Sequence, residues 1–241
     1  MIPLKDTIPS RTVPVVNYSI MVVNVIVFLY ELMLGRGLDK FIMKWGLVPA
    51  NFFVLLNGEH IELTTMLLPF FSSMFLHAGW LHIIGNMWFL YIFGDNVEDR
   101  LGHVKYIFFY VVCGLGAGLS QFMLSMNSRV PMVGASGAIA GVLGAYFLLY
   151  PRAKVLTLVP IFFFIQIIEL PAFIFLLIWF IIQFFSGTAS LPAIIKGKEG
   201  GGGVAWWAHI GGFLIGMLLI KIFIKKRKPP LISYPTKWEI N

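Results

Sequence analysis

Residues 133–150 read VGASGAIAGVLGAYFLLY, an apolar run with one serine near its start and no charge. Pro151 stops it, because a proline inside a helix removes a hydrogen-bond donor and clashes with the preceding turn. Gly134, Gly137, Gly141 and Gly144 fall three, four and three residues apart, so they share one helical stripe. A stripe of small residues lets a second helix approach closely in a membrane, where lipid is as apolar as leucine. The run therefore predicts a helix packed deep among other membrane helices.

The composition of the whole chain agrees. Of its 241 residues 59% are hydrophobic and 12% charged, and the mean hydropathy is +0.86. A soluble domain averages about 45–50% apolar and about 25% charged residues. Disorder, a disulfide-rich secreted domain and nearly every soluble class are thereby excluded. The single cysteine, Cys113, allows no internal disulfide. The formal charge of +7 is not a nucleic-acid signal, since its positives flank apolar runs (Arg152 and Lys154, Lys225 to Lys228) and no soluble basic module exists to carry it. The first apolar run lacks a small-residue cleavage site, so it reads as a retained anchor.

A spanning helix needs about 20 mostly apolar residues. Six stretches qualify: 17–35, 77–95, 104–125, 133–150, 170–186 and 205–224, the fifth opened by Pro171. Residues 155–168 are apolar but short and broken by Pro160, which predicts an interfacial or re-entrant piece. The long loop 36–76 carries Phe52, Phe53, Leu67, Leu68, Phe70 and Phe71, and is expected to have its own structure at the interface. Residues 187–204, with Gly200–Gly203, read as a flexible outer loop. With the N-terminus inside, twelve Lys and Arg fall on inner segments and six on outer ones. Both ends are then cytoplasmic, a parity that fits six spans and not seven. The fold expected is an all-α membrane protein, a six-helix bundle forming a single polytopic domain over 1–241 with short cytoplasmic tails.

Polar side chains in such helices are expensive and are candidates for function. His77, His82 and Asn86 lie in the second helix, Ser136 in the fourth and His209 in the sixth. These three helices run the same way, which puts His82, Ser136 and His209 at a similar depth below the outer surface. His82 and Asn86, four apart, share a face, and His209 shares one with Gly212 and Gly216. The two glycine stripes would bring the fourth and sixth helices together. Taken singly, each residue has a bland reading: a serine bonding its own preceding turn, glycines that only pack, an asparagine that joins two helices. Taken together they suggest acyl transfer. A serine becomes a nucleophile when a histidine takes its proton, and donors such as His82, Asn86 and the Ser136 amide suit a developing oxyanion. No Asp or Glu in the fourth or sixth helix is available to orient His209, which leaves a Ser–His dyad.

Gly134-Ala135-Ser136-Gly137 resembles the GxSG motif of the rhomboid intramembrane serine proteases. His82 to Asn86 resembles their HxxxN motif, and Ala208-His209-Ile210-Gly211-Gly212 with Gly216 resembles their last-helix histidine and its GxxxG. The stretch Gly94–Gly102 is also similar, and the resemblance covers roughly residues 60–220. It implies a six-helix core with a wet site opening outward. It implies Ser136 as nucleophile and His209 as general base, with His82, Asn86 and the Ser136 amide as oxyanion hole. The fifth helix and the Gly-rich loop would act as gate and cap. The implied substrates are single-span membrane proteins, cut in or near the bilayer, with no metal, nucleotide or other cofactor. Two positions depart from the pattern. Ala140 stands where some members stack a tyrosine on the histidine, and Leu68-Pro69 where many carry Trp-Arg. The competing readings are a catalytically silent relative that binds client transmembrane segments, and a small transporter, which the lack of an inverted repeat disfavours. Small size and the lack of targeting extensions suggest a prokaryotic plasma membrane.

Overall fold

Val15–Met33 (α1) forms a helix of 19 residues without a glycine or proline, entered from Pro14. Its first turn is capped from a distance: the backbone N–H groups of Val16 and Asn17 donate to the Glu98 carboxylate at 3.0 and 2.7 Å. An anion there satisfies orphan amides and meets the positive end of the helix dipole. Glu98 lies near the end of Trp80–Leu101 (α4), so α1 and α4 run antiparallel. The computed structural model describes residues 1–52, 63–161, 164–195 and 203–224. Between α1 and α4 lie Leu38–Trp45 (α2) and Leu63–Ser72 (α3), the latter followed by a 3-10 turn over Ser73–Phe75. His103–Leu124 (α5), Ser136–Leu149 (α6), Ala172–Ile195 (α7) and Trp206–Phe223 (α8) complete the helices.

The expected all-α membrane bundle is what these helices form. Four of them, α1, α5, α7 and α8, are each long and apolar enough to cross a bilayer. Helix α4 passes the same test together with α3, the two meeting at a bend of 79°. Helix α6 has 14 residues, about 21 Å at 1.5 Å per residue, against a hydrocarbon core of about 30 Å. The sequence reading made it four residues longer. Residues 133–135 are not helical, because Gly134 N–H donates to the Ser73 carbonyl and the chain enters the bundle as irregular backbone. Such backbone is tolerated at depth only when protein satisfies it. From Gly137 to Tyr146 every residue of α6 is buried, against α4, α5 and α8.

The expectation for residues 155–168 did not specify their form. Among the described residues they lie in two strands, Lys154–Ile161 (β2) and Phe164–Pro171 (β3), paired antiparallel in register from Lys154↔Pro171 to Ile161↔Phe164. The N-terminal strand Ile2–Asp6 (β1) pairs with β2 to give the sheet order β1-β2-β3. Pro160 lies past the last β1 partner, Leu158, so its missing N–H costs no bond to β1. Val155 and Thr157 alternate inward as a half-buried strand requires. Two further boundaries shift. Helix α7 runs to Ile195, so residues 187–195 of the expected outer loop are helical; 196–202 lie outside the described residues, as do Phe53 and Lys225–Lys228. Residues 96–101, beyond the expected second span of 77–95, are the last turns of α4.

Topology is consistent across the sheet. Helices α1 to α6 separate β1 from β2, and the pairing of the two strands brings the chain back to the side on which it began. The ends of α4, α6 and α8 meet that side as well: Thr12 N–H donates to Asp99, Tyr150 hydroxyl to the Asn96 carbonyl, and Lys105 Nζ to the Phe223 carbonyl. The starts of α4, α6 and α8 therefore gather at the opposite end.

Candidate active site

Helices α6 and α8 meet backbone to backbone. A Cβ placed on Gly216 would lie 2.0 Å from the Gly141 carbonyl oxygen, and one on Gly212 would lie 2.1 Å from that of Gly137. Gly141 and Gly137 are packed in turn against Cys113 and Ala117 of α5. Any side chain at these positions holds the helices apart, so the glycines set the helix separation. That separation brings Ser136, the first residue of α6, to His209, in the first turn of α8. The Ser136 hydroxyl donates to His209 Nε2 at 2.8 Å.

The other ring nitrogen settles the tautomer. His209 Nδ1 lies 2.8 Å from Gln183 Oε1, and the Gln183 side-chain nitrogen donates to the Trp179 carbonyl. With the amide turned that way, Oε1 is an acceptor, so Nδ1 carries the proton and Nε2 holds the lone pair that faces Ser136. The ring also has aromatic neighbours. Trp179 lies 6.0 Å from it between centroids at 33°, and Trp206 6.2 Å away at 86°. The entry of α8 is fixed by Gln121, whose Oε1 accepts from the N–H groups of Trp207 and Ala208.

His82 reaches the same place from α4. A Cβ on Gly134 would be 2.7 Å from His82 Nε2 and 3.5 Å from Ser136 Oγ. Gly134 also has φ +130°, a region that side chains other than glycine's rarely adopt, so the position demands glycine twice over. The Ala78 N–H donates to His82 Nδ1, which leaves Nε2 as the N–H beside Gly134, two residues from the serine. Asn86 lies one turn further along the same face of α4. It is buried, and its amide nitrogen has no hydrogen-bond partner. A buried donor without a partner costs about 1–3 kcal/mol, which makes it available for an acceptor brought from outside. Helix α6 has no side-chain cap, and its first N–H groups point at the same region with the positive end of the dipole behind them.

Of the residues singled out in the sequence, Ser136, His209, His82 and Gly134 come together. Gly137, Gly141, Gly212 and Gly216 form the seam behind them. Asn86 stands apart by one helical turn. His77 lies just before α4 and is buried; its backbone N–H faces the Glu31 carboxylate at 3.2 and 3.3 Å. His103 opens α5 and pairs with Glu98. Two glutamines escaped the sequence reading, Gln183 and Gln121. Each is a lone amide in an apolar helix, the same signal that drew attention to Asn86. The Leu68-Pro69 segment belongs to α3, which is tied down through the Ser72 hydroxyl on the Trp45 carbonyl at 2.6 Å. Among the described residues no group of three His, Cys, Asp or Glu side chains is placed to hold a metal.

A serine with its proton on a histidine lone pair, beside converging donors, can attack a carbonyl and hold the oxyanion that forms. The chain is similar in sequence to several known proteins. The chain is 28% identical over 180 residues to a zebrafish (Danio rerio) mitochondrial protein named presenilin-associated rhomboid-like protein A, covering 70% of this chain and 42% of that one. It is 30% identical over 159 residues to rhomboid-like protein 11 of Arabidopsis thaliana chloroplasts, covering 65% and 52%. It is 27% identical over 217 residues to the rhomboid protease GlpG of Yersinia pestis, covering 89% and 64%. The chain thus spans between two-fifths and two-thirds of the length of these curated relatives. The sequence model of the Rhomboid domain matches residues 64–226, which takes in α3 to α8 and every residue of the site. The chain belongs to the rhomboid family.

Proposed function

We propose that this chain is an intramembrane serine endopeptidase that cuts membrane-spanning segments within or near the bilayer. The observation that carries the reading is the 2.8 Å hydrogen bond from Ser136 to His209 Nε2. As Ser136 Oγ attacks the scissile carbonyl carbon, its proton passes to His209 Nε2. The carbonyl oxygen becomes an oxyanion, held by His82 Nε2–H, the Asn86 amide and the Ser136 N–H. His209 returns the proton to the leaving amine as the C–N bond breaks, leaving an acyl-enzyme on Ser136. Water, deprotonated by His209, then releases the new carboxyl end. No step calls for a metal or cofactor.

The substrates proposed are single-span membrane proteins. A peptide bond in a hydrophobic helix is shielded by its own hydrogen bonds, so the helix must unwind locally before Ser136 can reach a carbonyl. Unwound backbone at that depth needs polar surroundings, and the starts of α4, α6 and α8 are where this chain has them. The distribution of Lys and Arg supports cytoplasmic termini, with a prokaryotic plasma membrane as the proposed location. A fluorophosphonate probe tests the reading without a substrate. It should label the purified protein at Ser136, and His209→Ala should abolish labelling; a folded protein that resists the probe would favour a silent, client-binding relative.

A further inference from the structure

We infer that Gln183 is a positioning residue for the general base, holding His209 in the one tautomer that can accept the Ser136 proton, and that α7 rather than α6 supplies the support of the ring. The inference rests on the protease reading of Ser136 and His209 and deepens it.

The orienting partner of a histidine base is ordinarily a carboxylate. Helices α6, α7 and α8 contain no Asp or Glu, and the groups near His209 are Ser136 from α6, His82 from α4, Trp179 and Gln183 from α7, and Trp206 from α8. Among the described residues, Gln183 is the one that reaches Nδ1. Its side chain is 6% exposed, and its amide is turned by the bond to the Trp179 carbonyl, so Oε1 and not the nitrogen meets the ring. An amide oxygen accepts a proton bond as a carboxylate does, but it brings no charge to stabilise the imidazolium. It fixes direction and tautomer alone.

Trp179, one turn before Gln183 on the same helix, lies along the imidazole face at 33°. Position 140 on α6, one turn after Ser136, is alanine and fully buried, so α6 offers no large side chain there. Helix α7 therefore supplies both the partner of Nδ1 and an aromatic neighbour of the ring, with Trp206 of α8 the other aromatic. The two α7 side chains form a unit: the carbonyl of Trp179 orients the Gln183 amide, and the Gln183 amide orients His209.

The experiment compares wild type, Gln183→Leu and Gln183→Glu in detergent, with Ser136→Ala as the blank. Steady-state cleavage of a single-span substrate gives kcat and KM across pH, thermal unfolding checks the fold, and 15N NMR of the histidines reports the His209 tautomer. Gln183→Leu should lower kcat by about tenfold to a hundredfold with KM within about twofold, since only the proton-transfer geometry is lost. Gln183→Glu should recover activity and move the acidic limb of the rate profile upward by about one pH unit, because a carboxylate favours the charged ring. A structural role alone would not move that limb. The 15N spectrum should show Nδ1–H in wild type and a mixture of tautomers in Gln183→Leu. A stable Gln183→Leu protein with wild-type kcat and the same tautomer would overturn the inference, as would an unshifted limb in Gln183→Glu. If Gln183→Leu fails to fold, the Glu profile carries the test. If wild type neither cuts nor takes a fluorophosphonate, the protease reading fails by itself, and the tautomer comparison still decides whether Gln183 holds the ring.

Discussion

The α6–α8 seam and the α7–α8 contact face each other across His209, and they are built in opposite ways. The seam is backbone on backbone: Gly137, Gly141, Gly212 and Gly216 leave no space for a methyl group. The α7 contact is side chain on side chain, with Trp179 and Phe180 against Phe213 at 5.9 and 5.0 Å and Phe184 near Trp207. Close-packed backbone transmits any change directly. Interlocking aromatic rings have rotamers with which to adapt. The seam sets how far Ser136 is from His209, and α7 sets which way the His209 ring faces.

Removing the reacting groups gives the largest effect and leaves both contacts standing. Ser136→Ala and His209→Ala should each lower cleavage by about 10³-fold or more while thermal unfolding stays close to wild type. Next comes the seam. Gly216→Ala directs a methyl group at the Gly141 carbonyl, and overpacking of this kind costs about 1–3 kcal/mol. Both melting temperature and kcat should fall together, because the helices move apart and the Ser136–His209 distance grows. On the α7 side, Trp179→Leu should separate the two properties: kcat falls several-fold with a smaller loss of melting temperature. If Trp179→Leu proves as destabilising as Gly216→Ala, the contrast between the two contacts is wrong.

A weaker effect lies at the far end of the bundle. Asp6 of β1 is buried and accepts from the Tyr146 hydroxyl and from Asn96. Burial, reinforced by nearby Asp95 and opposed by the Tyr146 bond, raises its pKa from 3.8 to about 6. The protonated form is thus favoured in the folded state. Its stabilising contribution is complete below the unfolded value and is lost as pH rises through about 6. Protection of the Ile2–Asp6 amides, taken relative to the intrinsic exchange rate at each pH, should be higher at pH 5 than at pH 7, both values being about one unit from that midpoint. Asp6→Asn should give the same protection at both pH values. The smallest effect is at Gly85, between His82 and Asn86 but with nothing within 4 Å of a Cβ built there. Gly85→Ala should leave cleavage unchanged, which shows that small residues matter at the seam and not wherever they occur.

How much of this was legible in the sequence depends on how local the signal is. Ser136 and His209 were legible because each is a costly polar group beside a glycine stripe of fixed period. The membrane bundle was legible from runs of apolar residues long enough to cross. The pairing of 154–161 with 164–171 was not, since β2 also pairs with β1, some 150 residues earlier in the chain. A short apolar run does not show by itself that it will pair as a strand. Helix α6 was drawn too long because hydropathy does not register that Gly134 gives its N–H to Ser73 instead of to a helix. Gln183 was missed for a related reason. An amide in an apolar helix carries no charge to betray it, and its meaning depends on α7 lying against α8. The neutral group that meets the ring nitrogen came only from the packing.

The central claim is that Ser136 is a nucleophile activated by His209 and aimed at membrane-spanning substrate. The direct measurement is incubation of the purified protein in detergent with a single-span substrate, mapping the products by mass spectrometry, beside Ser136→Ala. The account predicts one cut in or near the span by wild type and intact substrate with the variant. Cleavage that survives Ser136→Ala, or a folded wild-type protein that leaves a panel of single-span substrates intact, would contradict it.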